Sequence, residues 1–195
     1  MLEIEKIKDY LKEVLSEKRY THSLGVAEEA VKLAKHYYVD YDKAYIAGLV
    51  HDCAKEIDNA TAKKMLSEKY NITIDPITLN THKLLHGPLG ACIAQDEFAV
   101  YDAEILDAIK YHTTAKSNMS MLTQIIYIAD YIEPNRDFEG VDELREMAYS
   151  DIEKAIMTGL DYTLEELIER GSMFHPDTVH ARNWFLLKKI RNSKI

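Results

Sequence analysis

Apolar residues recur at intervals of three and four along nearly the whole chain, a period that suits helices and not strands. Ile4, Ile7, Leu11, Val14 and Leu15 fall on one face of a first helix. Leu24, Ala27, Val31 and Ala34 do the same in a second, after a break near Ser16 to Tyr20. Asp42 can start a third helix, predicted to carry His51-Asp52 and to end before Asp58-Asn59. A short polar helix follows over 61–70. Gly87-Pro88 suits the start of another through Ala94, because proline in the first turn loses no hydrogen bond. Further helices are predicted over Asp102–Tyr111 and Met121–Glu133, the latter stopped by Pro134, and over 141–147, 150–169 and 176–190. Residues 71–80, with Pro76, read as a loop. There is no alternating strand-like run, no repeat and no low-complexity linker. With 195 residues, 47% of them hydrophobic, and only 7 Gly and 4 Pro, the chain can bury a sizeable core. The expected fold is all-α, one domain over 1–195.

Charge and cysteine usage narrow the partners. A formal charge of -9 argues against broad electrostatic binding to nucleic acid or an anionic membrane, so a phosphate-bearing ligand must meet a local cluster of positive charge. Cys53 and Cys92 form no C-x-x-C pair and lie in apolar surroundings suited to reduced structural thiols. The N-terminus is charged and amphipathic without an apolar signal core, and no apolar run reaches the ~18 residues of a membrane span. A soluble cytoplasmic protein is expected.

Against this apolar background a few polar residues stand out. His51-Asp52 follows Ala44-Tyr45-Ile46-Ala47-Gly48-Leu49-Val50, and Asp130 is embedded in Ile125-Ile126-Tyr127-Ile128-Ala129-Asp130-Tyr131-Ile132. Burying such groups costs free energy unless a charged or hydrogen-bonding partner meets them. His22 stands near the start of the second helix. Taken singly, each has a plain reading: a core histidine with a hydrogen bond, a chance dipeptide, a structural aspartate. Taken together, two imidazoles and two carboxylates from three helices make a nitrogen and oxygen set that suits iron, manganese or zinc better than calcium. Consecutive helical residues diverge by about 100°, so His51 and Asp52 would share an ion only in a crevice between helices.

The order His22, His51-Asp52, His86, His112, Asp130 resembles the HD superfamily of metal-dependent phosphohydrolases. More narrowly, Arg19-Tyr20-Thr21-His22-Ser23-Leu24-Gly25-Val26, His51-Asp52-Cys53-Ala54-Lys55, Leu85-His86-Gly87-Pro88-Leu89-Gly90-Ala91, Tyr111-His112-Thr113-Thr114 and Ile128-Ala129-Asp130-Tyr131-Ile132-Glu133-Pro134-Asn135-Arg136 resemble the bacterial YqeK family. The similarity runs from Arg19 to about His175. It implies an HD-domain helical bundle with its metal-site core about 19–136 and C-terminal helices over 141–192 packed on it.

The resemblance also implies a symmetrical dinucleoside tetraphosphatase, cleaving diadenosine tetraphosphate to two ADP by a water activated at the metal. His22, His51, Asp52 and Asp130 match the ligands of an iron-type centre. His86 and His112 would hold a second metal or contact the phosphate chain. Asp52 is the candidate to orient or deprotonate the attacking water, with His86 and His112 beside it as further catalytic candidates. A highly charged substrate needs positive groups near the scissile bond, and Arg19, Lys55 and Arg136 lie three, three and six residues from proposed ligands; as isolated residues they would be solvated surface charges. Gly171, Ser172 and His175 lie at what the sequence alone reads as an ordinary helix-helix turn, and the resemblance makes them candidates for a nucleotide contact; no G-x-x-x-x-G-K loop is present, so nucleotide binding would rest on the metal and side chains. Expected partners are a dinucleoside polyphosphate or nucleoside diphosphate, and exposed aromatics among the 13 Tyr leave a homodimer open. Other members of the superfamily are nucleotidases, dNTP triphosphohydrolases or phosphodiesterases, and a non-catalytic nucleotide sensor is a third reading.

Overall fold

In the computed structural model, which describes residues 3–192, the chain folds into eleven α-helices and, among the described residues, no strand. They are α1 Ile4–Val14, α2 Glu17–His36, α3 Tyr41–Val50, α4 Asn59–Lys64, α5 Pro76–Asn80, α6 His86–Phe98, α7 Ala103–Tyr111, α8 Met121–Ile132, α9 Val141–Ser150, α10 Ile152–Glu169 and α11 Pro176–Asn192. A π turn, Met65–Lys69, extends α4, and a 3-10 turn, His82–Leu84, precedes α6. Many helix starts are written in the sequence. Ser16, Asp40, Asp58, Asp75, Asp102, Ser120 and Asp151 each accept a backbone N-H of the first turn, satisfying donors that no preceding carbonyl can reach.

Helix α8 is the hub. It is buried from Leu122 through Ala129, and it packs against α2, α3, α7, α9 and α10. One cluster of buried side chains runs from Ile7 to Phe185, so a single core ties the chain together. Helices α2 and α3 lie against each other through small residues, Ala27, Ala30, Ala44 and Ala47, all fully buried. At Gly48 the approach is so close that an added Cβ would stand 2.8 Å from Ala27 Cα. Gly48→Ala therefore forces backbone apart, and we expect a loss of about 2 kcal/mol, read as a Tm roughly 4–8 °C lower for a domain of this size; an unchanged Tm would contradict this contact.

Three boundaries differ from the sequence-based expectation. Helix α3 stops at Val50, so His51-Asp52 lies just beyond it in tight turns closed by Cys53 N-H to Val50 O and Lys55 N-H to Asp52 O. The physical reason is that His51 Nδ1 donates to Gly48 O at 2.7 Å, occupying a carbonyl of the last helical turn. Residues 71–80 are not all loop: Asp75 caps Ile77 and Thr78 and Pro76 sits in the first turn of α5. Helix α6 begins at His86 and continues past Ala94 to Phe98, ending where Ala99 turns left-handed at φ 51°.

Candidate metal centre

Helix α2 supplies Arg19 and His22, the turns after α3 supply His51, Asp52 and Lys55, and α6 begins with His86. His112 follows α7, Asp130 lies on α8, and Arg136 sits in the turn beyond it. Thus the nine residues expected at the centre converge from separate parts of the chain. Asp52 is their junction. Its Oδ2 is 2.7 Å from Arg19 Nη1, 3.6 Å from His51 Nε2 and 3.8 Å from His22 Nε2. Its Oδ1 is 3.1 Å from His86 Nε2, 3.4 Å from His112 Nε2 and 3.7 Å from Lys55 Nζ.

The hydrogen bonds fix which ring nitrogens carry lone pairs. A carbonyl only accepts, so His51 Nδ1 against Gly48 O (2.7 Å) and His112 Nδ1 against Ile109 O (2.7 Å) must both be N-H donors. His22 Nδ1 faces the buried Glu133 carboxylate at 3.1 Å and donates likewise. The Nε2 atoms of all three rings therefore point inward, and each offers a lone pair there in the form that carries its proton on Nδ1. His22 Nε2 stands 2.9 Å from Asp130 Oδ1, a contact that needs a proton or a cation between the two atoms. His22 Nε2, His51 Nε2 and Asp52 Oδ1 are out of water and make no well-formed hydrogen bond. Atoms so placed are costly without a cation among them. Two overlapping sets, His22, His51 and Asp130, and His51, Asp52 and His112, each bring three ligand atoms within 4.8 Å of one another. The donor set can hold a divalent metal.

Burial and mutual charge tune these groups. Burial pushes His51 and His86 down to about 4, so both are neutral at pH 7 and the His51 Nε2 is ready to ligate. Burial works against ionising Asp52, but His51, His112 and His86 together hold it well below the usual carboxylate range. Asp130, against the same burial, is held low by His22, His51 and Arg136. In metal-free protein the two histidines have a stability consequence. Their ordinary value of 6.5 is higher than the folded one, so between pH 6.5 and about 4 the unfolded chain takes up more protons. Their stabilising contribution is complete above 6.5 and is lost as pH falls through that window, so the Tm of chelator-treated protein should drop between pH 7 and pH 5. A flat melting profile over that range would contradict it.

Arg19 reaches Asp52 rather than the histidine on its own helix. Lys55 Nζ lies 3.1 Å from His86 Nε2, and His86 Nε2 lies 2.9 Å from His112 Nε2. Arg136 grips Asp130 twice, Nη2 on Oδ1 at 2.5 Å and Nε on the backbone carbonyl at 2.7 Å. Beside the cluster opens a cavity of about 1200 Å³, and Lys55, His112, Asp130 and Arg136 form its inner end. Ser172 and His175 line it as well, although the His175 ring lies 3.4 Å from Asp75 Oδ2 and not among the central residues. Gly171 does not line it. It is exposed at φ 60°, with nothing within 4 Å of where a Cβ would be.

Two contributors were not singled out from sequence. Glu133, 1% exposed, orients His22 and in turn accepts Asn135 N-H at 2.8 Å. Its signal was present, three residues after Asp130 and hence on the same helix face. Arg145 on α9 donates to Ile132 O, Glu133 O and Arg136 O at 3.0, 3.1 and 2.8 Å, clamping the turn that carries Arg136. No local pattern marks it.

The HD domain model matches residues 19–135 of this chain. A symmetrical bis(5'-nucleosyl)-tetraphosphatase of Halalkalibacterium halodurans is 40% identical over 175 residues, covering 90% of this chain and 92% of that protein. The enzyme of the same description from Bacillus subtilis is 39% identical, with 90% and 94% covered. A crystal structure from Clostridium acetobutylicum, described as a predicted HD superfamily hydrolase involved in NAD metabolism, superposes with a TM-score of 0.94. It is 44% identical and the match covers 96% of this chain and 99% of that one.

Proposed function

The chain belongs to the HD-domain family, in its YqeK branch, and from this premise we propose that it hydrolyses diadenosine tetraphosphate symmetrically to two ADP. The observation that carries the reading is the set of buried Nε2 and carboxylate oxygen atoms beside a cleft large enough for a dinucleotide, with Lys55 and Arg136 where the two meet. His22, His51, Asp52 and Asp130 would hold the metal, and their mixed nitrogen and oxygen donors suit iron, manganese or zinc. When bound, such an ion lowers the pKa of water and polarises a phosphoryl oxygen.

The side chains divide the remaining work. Asp52, kept ionised by its imidazole neighbours, accepts a proton from the attacking water or orients it. Lys55 and Arg136 stand at the mouth of the site, where negative charge grows on the departing diphosphate, and Arg19 holds Asp52 in place. His86 contacts phosphate oxygens and not a second cation, because Lys55 Nζ lies 3.1 Å from its Nε2 and would repel a further metal there. His112 works on the same edge of Asp52. Arg145 and Glu133 act only by positioning. Among the described residues no helix is long and apolar enough to cross a membrane, and we assign the protein to the cytoplasm.

Chromatography of products from diadenosine tetraphosphate tests this. ADP alone, lost on metal removal and regained on adding iron or manganese, is the expected result. ATP plus AMP would exclude symmetrical cleavage, and no turnover with any metal supplied would favour a nucleotide sensor.

A further inference from the structure

The walls of the cleft are segregated by charge. Its inner end carries Lys55, Arg136 and the imidazole of His112, whereas the wall built by the turn after Arg136 and by α9 and α10 presents Glu139, Glu143 and Glu166. Arg170 on the same wall pairs with Glu166 at 2.7 Å, so Glu139 and Glu143 form its acidic part, which disfavours a polyphosphate chain there. The same wall exposes two aromatic rings to the cavity, Phe138 (36% exposed) and Tyr162 (39% exposed). A Cβ added to Gly140, two residues after Phe138, would lie 3.0 Å from the Tyr162 hydroxyl, so the turn that carries Phe138 passes beside Tyr162. The left-handed φ of 88° at Gly140 lets the chain pass under that ring. Phe138 is only two residues beyond Arg136, a reach of at most about 7 Å, so one nucleotide can have its phosphates at Arg136 and its base at the rings.

We propose that Phe138 and Tyr162 form a base-stacking platform for one nucleoside of the substrate, with Glu139 and Glu143 accepting from its exocyclic amine and ribose hydroxyls. Neutral, planar and rich in donors, a nucleoside is the part of a dinucleoside polyphosphate that this acidic, aromatic wall fits. The proposal rests on the tetraphosphatase reading and adds where the base lies.

Inhibition of the metal-loaded enzyme by ADP and by pyrophosphate, with diadenosine tetraphosphate as substrate, tests it. In the variant carrying both Phe138→Ala and Tyr162→Ala, ADP inhibition should weaken about tenfold or more, as loss of base stacking predicts, while pyrophosphate inhibition stays at the wild-type value. The single variant Phe138→Trp should retain wild-type ADP inhibition. Equal weakening for ADP and pyrophosphate would overturn the platform, because the loss would then lie at the phosphates. So would unchanged ADP inhibition in the double variant while the wild type still releases ADP alone. A wild-type enzyme that releases no ADP would overturn the tetraphosphatase reading itself, and is thereby distinguished from failure of the platform.

Discussion

Replacing Asp52 with asparagine should lower kcat by about 10³-fold or more and strip the protein of much of its metal. Asparagine keeps the shape, so the fold should survive, but it removes the anion on which Arg19, His22, His51, His86, His112 and Lys55 converge within 2.7–3.8 Å. It also replaces one bare carboxylate oxygen by an amide, whose NH₂ cannot ligate. Steady-state kinetics together with metal analysis of purified protein would check this. A variant with wild-type metal content and turnover would show that Asp52 is neither ligand nor proton acceptor.

Lys55→Ala should produce the second largest loss, about 10²–10³-fold in kcat, with metal content preserved. Burial lowers the Lys55 pKa while Asp52 and Asp130 draw it back up, so the ammonium is held in a partly dry site where its charge counts for more than in water. Because negative charge builds up during departure of the diphosphate, the loss should fall on kcat more than on KM. A rise in KM with kcat intact would assign Lys55 to ground-state binding alone. Lys55→Arg restores charge but not the compact fit against His86, and should recover activity in part.

How the fold and the centre could be read beforehand depended on whether the cause was local. Helix spacing is a local property, so α1, α2, α7 and α8 were legible from their apolar period. The end of α3 was not, because it is set by a bond from the His51 ring to Gly48 O, and periodicity does not encode side-chain capping. Asp130 stood out as a carboxylate in an apolar run, whereas its pairing with Arg136 became visible only in the structure. Yet it is 19% exposed on its cleft side, less buried than its surroundings in the sequence suggest. Arg145 was invisible: its three carbonyl partners belong to a turn nine to thirteen residues away, and a lone arginine on an amphipathic helix looks like any solvated charge. Gly171 shows the ambiguity of a local signal, since a glycine near a helix end marks a left-handed turn as readily as a ligand contact.

The stretch matched by the HD domain model ends at residue 135, one position before Arg136, and every ligand candidate lies within it. The aromatic and acidic wall begins at Phe138, and α10 meets the rest chiefly through α8, where the Tyr131 hydroxyl bonds Thr163 and Gly159 O. With the base platform proposed above, reaction chemistry and base recognition would fall in consecutive segments of the gene. Such an arrangement lets selection redraw the list of accepted nucleotides without retuning the ion, and a chimera exchanging only the segment after 136 with a relative should inherit that relative's preferences at its own turnover.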